Sequence, residues 1–275
     1  MTVILLRHGR SSSNTAGVLA GRSEGVDLDD KGRGQAAGLI DRLGDLAIRG
    51  LVSSPLLRCR RTIEPLAEAL CLDPVIDDRL AEVDYGEWTG RKLAELAGEP
   101  LWRVVQAHPS AAVFPGGEGL AQVQARAVAA VREHDRRLAQ EYGGEHGGDA
   151  LWVACTHGDV IKAVVADAYG MHLDSFQRVT ADPASVSVIR YTELRPFVVH
   201  VNHTGAKLAA ALRAGPPPPP DQAQDKGEDK AQDKAQDGAH DKGESKTDGE
   251  SPAAATEQAA AAVPSGDAVV GGSTD

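Results

Sequence analysis

The sequence predicts an α/β domain: a three-layer α/β/α sandwich around a mixed, mostly parallel sheet, filling residues 1–214. Three observations predict it. Short apolar runs rich in β-branched residues alternate with segments of helical periodicity. The first run is continuously apolar, as a strand covered by helices on both faces must be. Four strand ends carry charged or titratable residues, and ligands in such folds bind at the carboxyl ends of strands.

Each element follows from its own residues. Residues 2–6 (TVILL) read as the first buried strand. Residues 31–46 place Ala36, Leu39, Ile40 and Leu43 at helical spacing. Residues 50–53 form a second strand, stopped by Ser54 and Pro55. Residues 57–70 are helical and 74–76 a short strand. Residues 93–106 offer helical turns that Pro100 interrupts. Residues 119–138 form the longest amphipathic helix. Residues 150–155 are a strand, 159–169 a helix, and 185–191 with 197–201 a final strand pair.

From Gly215 onward there is almost nothing to bury. Pro216 to Pro220 favour an extended polyproline II stretch. A four-residue beat follows (Asp225-Lys226, Asp229-Lys230, Asp233-Lys234), then Ala, Gly, Ser and Thr with a few acids. Such a chain cannot offset its ordering entropy by burial, so residues 215–275 are expected to be a disordered acidic tail. The tail carries thirteen acidic residues against five lysines, so most of the formal charge of −11 belongs to it. The domain itself is near balance, which excludes a global pull toward nucleic acid. An anionic substrate needs a local cationic pocket instead. Cys59, Cys71 and Cys155 make no CxxC pair, suggest neither a disulfide framework nor a zinc site, and are expected in the core. No signal-peptide pattern or bilayer-length apolar run is found, so a cytoplasmic protein without a membrane is expected.

The strand ends define one rim. Arg7 and His8 follow the first strand, Arg58 the second, Glu82 the third, and His157 the strand at 150–155. Two permanent cations and two imidazoles suit a phosphoryl group, since guanidinium contacts phosphate oxygens in bidentate fashion. Gly9 lets backbone approach a ligand, and the helix opening at Gly158 offers free N–H groups to an anion. Two arginines should depress the His8 pKa and keep the ring neutral. A neutral imidazole can attack phosphorus. Glu82, among apolar neighbours, can donate the proton that a leaving alkoxide needs.

These residues resemble the histidine phosphatases, the phosphoglycerate mutase-like superfamily. LLRHGRSSSN is similar to its nucleophile motif, with Asn14 five residues after Gly9. Residues 53–58 (SSPLLR), the stretch from Leu80 to Gly90 and Thr156-His157-Gly158 resemble its other motifs, in order, across residues 2–203. The resemblance implies His8 as nucleophile and Glu82 as proton donor. It implies Arg7, Arg58, His157, Asn14 and the Gly158 backbone as phosphoryl ligands, and places Ala20 and Gly21 near the substrate. It implies no metal and no other cofactor, and a small phosphorylated metabolite as partner. Trp102-Arg103-Val104 lacks the second arginine of the glycolytic mutases, and Lys92 is out of register. The chain is therefore closer to actinobacterial members labelled "probable phosphomutase" on similarity. The reading is a phosphomonoester phosphatase. A phosphomutase is the alternative, and a catalytically weak regulatory protein acting through a tail partner a second one.

Several residues carry structural expectations. Asp29 is expected to cap the following helix, and Glu118 to sit in a helix start, with Arg126 either its ion-pair partner or simply solvated. Asp159 is expected at a helix start. Arg10 is open between solvent and a substrate contact. Trp88, Trp102 and Trp152 are expected in the core or pocket wall. His108, His134, His146, His172, His200 and His203 are expected on the surface.

Overall fold

The first strand, β1 (Thr2–Arg7), is buried along its whole length because the sheet is covered on both faces. Alternate residues serve opposite layers: Val3 and Leu5 join one core, Ile4 and Leu6 the other. The computed structural model describes residues 1–142 and 150–205. The expected acidic tail lies outside the described residues, as does His146.

Five further strands complete the sheet: β2 (Ile48–Ser53), β3 (Val75–Ile76), β4 (Leu151–Thr156), β5 (Val186–Tyr191) and β6 (Pro196–His203). The strand order is β3-β2-β4-β1-β5-β6. Pairs β3–β2, β2–β4 and β4–β1 are parallel, whereas β5 runs antiparallel to both β1 and β6. The sheet is thus mixed and mostly parallel, as expected. Its register levels the functional rim: Arg7 lies opposite Thr156, and Cys155 opposite both Leu6 and Ser53. The residues that follow these positions, His8, His157 and Ser54, therefore leave the sheet together.

Among the described residues eight helices, with 3-10 turns between some of them, make the outer layers. They are α1 (Ser12–Thr15), α2 (Asp30–Ala37), α3 (Leu39–Leu43), α4 (Leu57–Leu70), α5 (Leu93–Leu96), α6 (Pro100–Ala107), α7 (Leu120–Tyr142) and α8 (Gly158–Ala168). Leu39 and Leu43 of α3, with Ile63 and Leu66 of α4, cover one face. On the other, α7 brings Val123, Ala127 and Val131 against α8's Val160 and Val164. Helix α8 is buried at ten of eleven positions, with apolar residues on most of its faces and the paired Asp159 and Lys162 buried among them. Pro100 opens α6, where its missing N–H costs nothing.

Three expectations need correction. Residues 31–46 form two helices, not one: the helix is interrupted at Gly38, a weak helix former that stays in the right-handed region but turns the chain (φ −67°, ψ −7°). Cys71 is exposed: it ends α4 in the left-handed region (φ 52°), so its side chain projects from a turn. His134 is buried at 7% exposure, against Trp152, with Nε2 2.8 Å from Asp77. It sits where the apolar stripe of α7 (Val123, Ala127, Val131, Leu138) turns inward. Gly9 also has a packing role. A Cβ there would press on the Gly32 backbone, and one on Gly32 would overlap the Arg10 carbonyl. The two glycines let α2 pack against the loop that carries His8. Asp29 does cap α2, accepting from the Gly32 N–H at 2.8 Å.

Gly32→Ala should test this close approach. Alanine favours a helix interior by about 1 kcal/mol, yet the overlap should win and destabilise the domain by about 1–3 kcal/mol. Urea unfolding of both proteins reads the sign directly.

Candidate active site

The carboxyl ends of β1, β2 and β4 assemble the pocket from backbone outward. The His8 N–H donates to the Thr156 carbonyl (3.0 Å), continuing the β1–β4 ladder one residue past the strand. The Gly9 N–H donates to Thr62 Oγ1 (2.8 Å), whose hydroxyl donates to the Arg58 carbonyl (2.7 Å). Thr62 thus fastens α4, and with it Arg58, to the loop after β1.

Both imidazoles are buried, at 3% exposure for His8 and 0% for His157, with ring centroids 5.2 Å apart. His8 Nδ1 lies 2.7 Å from the Gly9 carbonyl. A carbonyl only accepts, so Nδ1 carries the proton of the neutral ring and Nε2 keeps its lone pair. Burial, then the charges of Arg58 and Arg7, hold the His8 pKa well below the ordinary value. His157 is held low by burial, then Arg58, His8 and Arg7. Its Nε2 lies 2.8 Å from Ser54 Oγ, and its Nδ1 3.9 Å from Glu82 Oε2.

Two buried guanidiniums flank the rings. Arg7 Nη1 donates to the Ala181 carbonyl (2.7 Å) and Arg58 Nη2 to the Gly21 carbonyl (2.8 Å). Arg58 Nη1 has no hydrogen-bond partner in the described residues. Gly21 is at φ 49°, and a Cβ there would press on Thr89 and Tyr85. Glycine is what lets its carbonyl turn toward Arg58.

Glu82 is 4% exposed, and its Oε1 accepts from the Val83 N–H at 3.0 Å. Burial and the charge of Asp159 push its pKa up to about 7, against the pull of Arg58, the Val83 bond and Arg7. Asp159 lies in the first turn of α8, as expected. There it accepts from Tyr85 Oη (2.7 Å) and pairs with Lys162 Nζ (3.4 Å).

The loop bearing Glu82 is gripped at five points. Thr156 Oγ1 donates to the Leu80 carbonyl (2.6 Å) and Arg126 Nη1 to the Arg79 carbonyl (2.6 Å). The Glu82 carbonyl accepts from Arg22 Nε (2.9 Å) and Arg126 Nη2 (3.1 Å). Glu118 Oε2 accepts from the Asp84 N–H (3.0 Å), and Glu118 also pairs with Arg126 and Arg22, each at 2.9 Å. Burial pushes the Glu118 carboxyl up, but the Arg126 bonds prevail and hold it below the ordinary range.

The sequence-predicted residues Arg7, His8, Gly9, Gly21, Arg58, Glu82, His157 and Gly158 converge on this rim. Gly158 is the first residue of α8, whose positive dipole end faces the carboxyl ends of the strands. Asn14 is half-buried, and its Oδ1 accepts from the Ser11 N–H and Oγ in a capping box on α1. Its amide nitrogen is the end left to meet a ligand. Ala20 is half-buried beside Gly21. Arg10 is half-buried, and its Nε pairs with Asp29 at 2.6 Å. Trp88 and Trp152 are core residues, and Trp102 stacks on Trp88. Among the described residues no group of three or more His, Cys, Asp or Glu is arranged to hold a metal ion. No helix there is long and apolar enough to cross a membrane.

The family model of the Histidine phosphatase superfamily (branch 1) matches residues 3–204. The chain belongs to this superfamily. Phosphoserine phosphatase 1 of Hydrogenobacter thermophilus is 31% identical over 205 residues, which are 74% of this chain and 92% of that protein. A Salmonella choleraesuis protein named as a probable phosphoglycerate mutase is 31% identical over 196 residues, 70% of this chain and 86% of that one. The native structure of a mycobacterial glucosyl-3-phosphoglycerate phosphatase is similar with a TM-score of 0.67 at 26% identity. The likeness covers 74% of this chain and 98% of that one.

Sequence reasoning singled out Glu118 and Arg126 in this histidine phosphatase as a candidate ion pair, but missed what the pair holds. Arg22 was not found at all. Glu118→Gln should therefore loosen the Glu82 loop. We expect a loss of about 1–3 kcal/mol in urea unfolding, since one partner of a half-buried pair is removed. A roughly tenfold fall in kcat should accompany it, because a small misplacement of a reacting group is costly.

Proposed function

We propose that the protein is a metal-independent phosphomonoester phosphatase working through a phosphohistidine on His8. The observation that carries this reading is the buried His8 ring, its Nδ1 committed to the Gly9 carbonyl, beside two buried guanidiniums. The Nε2 lone pair attacks phosphorus and a P–N bond forms as the ester P–O bond breaks. Glu82 gives its proton to the leaving oxygen, which departs as an alcohol. Arg7, Arg58, His157, the Asn14 amide and the Gly158 N–H stabilise charge on the equatorial oxygens. Water then attacks phosphorus, Glu82 takes its proton, the P–N bond breaks, and phosphate leaves.

The relatives supply candidate substrates by their names: phosphoserine, glucosyl-3-phosphoglycerate and phosphoglycerate. All are small phosphorylated acids, which makes that class the first to test beside sugar phosphates and nucleotides. The mutase alternative is supported by the mutase-named relative. Against it, Lys92 and Arg103, the basic residues it would enlist, are exposed rather than turned into a buried second site. Priming by a bisphosphorylated sugar acid separates the two readings.

Phosphate release from this panel, with chelator present, should persist in wild type and fall by at least about a thousandfold in His8→Ala. Activity that survives in His8→Ala would overturn the mechanism. The pH dependence has a definite sign. Glu82 must be protonated to act first, so kcat/KM for alkyl phosphates should fall as pH rises through about 7. Glu82→Gln should slow alkyl phosphates by on the order of a hundredfold. With p-nitrophenyl phosphate it should spare formation of the phosphohistidine, because that leaving group departs without a proton, and slow its hydrolysis instead, so that a burst of nitrophenol precedes slow turnover.

A further inference from the structure

We propose that Ser54 fixes the tautomer of His157, keeping the single ring proton on Nδ1, the nitrogen that faces Glu82 and the phosphoryl pocket. Ser54 is then a positioning residue, acting through His157 in the reaction proposed above, on which its catalytic consequence rests.

The argument is an accounting of donors. Ser54 is fully buried at the end of β2, where water does not reach its hydroxyl. Its Oγ accepts from the Leu56 N–H (3.3 Å) and lies 2.8 Å from His157 Nε2. The hydroxyl has one proton to place, and among the described residues His157 Nε2 is the acceptor within reach. If Nε2 carried the ring proton, Ser54 would receive two N–H donors and its own O–H would be left buried and unmade, which native structures avoid. The cooperative solution is Ser54 O–H donating to a bare Nε2, with the proton on Nδ1.

The neighbours do not compete. Cys59 Sγ lies 3.4 Å from His157 Nε2 and 3.9 Å from its Nδ1, but the thiol has the Thr156 carbonyl at 3.5 Å as an acceptor for its proton, and sulfur is a weak acceptor. Burial and the nearby arginines keep the ring from taking a second proton. A neutral His157 can therefore offer a donor to a phosphoryl oxygen only from whichever nitrogen holds the proton. Nδ1 is the one turned toward Glu82, at 3.9 Å. With the other tautomer, a lone pair would face the phosphoryl oxygens. The two histidines thus carry the same proton placement by different means and for opposite ends. His8 uses a carbonyl to expose a lone pair; His157 uses a hydroxyl to expose an N–H.

Two-bond 1H–15N spectra of the full chain, with 15N-labelled histidine at pH 7 and no substrate, read the tautomer directly. His157 is identified by its loss in His157→Asn. The expected wild-type pattern is a protonated Nδ1 and a bare Nε2. In Ser54→Ala the proton should move at least partly to Nε2, and phosphate release should fall on the order of tenfold to a hundredfold. Ser54→Thr, which keeps the hydroxyl, should retain the wild-type pattern. A protonated Nε2 in wild type overturns the proposal, as does a Ser54→Ala pattern unchanged from wild type. Should Ser54→Ala fail to fold, the wild-type spectrum still decides. Because no substrate is involved, a chain that hydrolyses no phosphomonoester yet holds its proton on Nδ1 would refute the reaction and leave the Ser54 bond standing.

Discussion

The hydrogen bond from His8 Nδ1 to the Gly9 carbonyl is the interaction on which the rest of the site depends. It spans one peptide, so it forms only if the chain turns sharply where β1 ends. That turn is held from two sides: the His8 N–H extends the ladder to Thr156, and the Gly9 N–H is taken by Thr62 of α4. Close packing of Gly9 on Gly32 leaves no room for a wider path. The parallel register of β1, β4 and β2 then delivers His157 and Ser54 to the same rim. A fold-level constraint, equal strand ends, becomes a chemical one, two rings about 5 Å apart.

Charge is the second constraint. Arg7 and Arg58 are permanent cations in a buried place, and both imidazoles answer by staying neutral. Glu82 sits in the same field, yet burial and Asp159 outweigh the arginines and bring its carboxyl up to about 7. A group near its midpoint at neutral pH can give a proton in one step and take one in the next. Asp159 is tied to Tyr85 Oη and Lys162 Nζ in the buried first turn of α8. His8, Glu82 and the two arginines thus owe their states to one another, and a change in any one charge shifts the others.

Much of this was legible in the sequence, for a physical reason. Strand ends are marked by abrupt loss of apolar character, so Arg7, His8, Arg58 and His157 could be placed on one rim before any coordinates. The four motifs in order did the same for Glu82. What stayed hidden were bonds between residues far apart in the sequence, which leave no local signature. Arg22 and Arg126 hold the Glu82 carbonyl across 60 and 44 positions, and Ser54 reaches His157 across 103. His134 was misplaced because residue type was read ahead of its position on the stripe of α7. Cys71 was misplaced because an apolar pattern continues past the point where α4 turns left-handed.

The central claim is that phosphorus bonds to His8 Nε2. Rapid acid-free quenching of the full chain with a labelled phosphomonoester, followed by peptide mass spectrometry, tests it most directly. The account predicts a transient phosphoryl group, acid-labile and alkali-stable as a phosphoramidate is, on the peptide containing His8. It should be absent in His8→Ala and longer-lived in Glu82→Gln when p-nitrophenyl phosphate is the donor. Steady turnover in chelator with no phosphoryl group ever found on His8, even in Glu82→Gln, would contradict it.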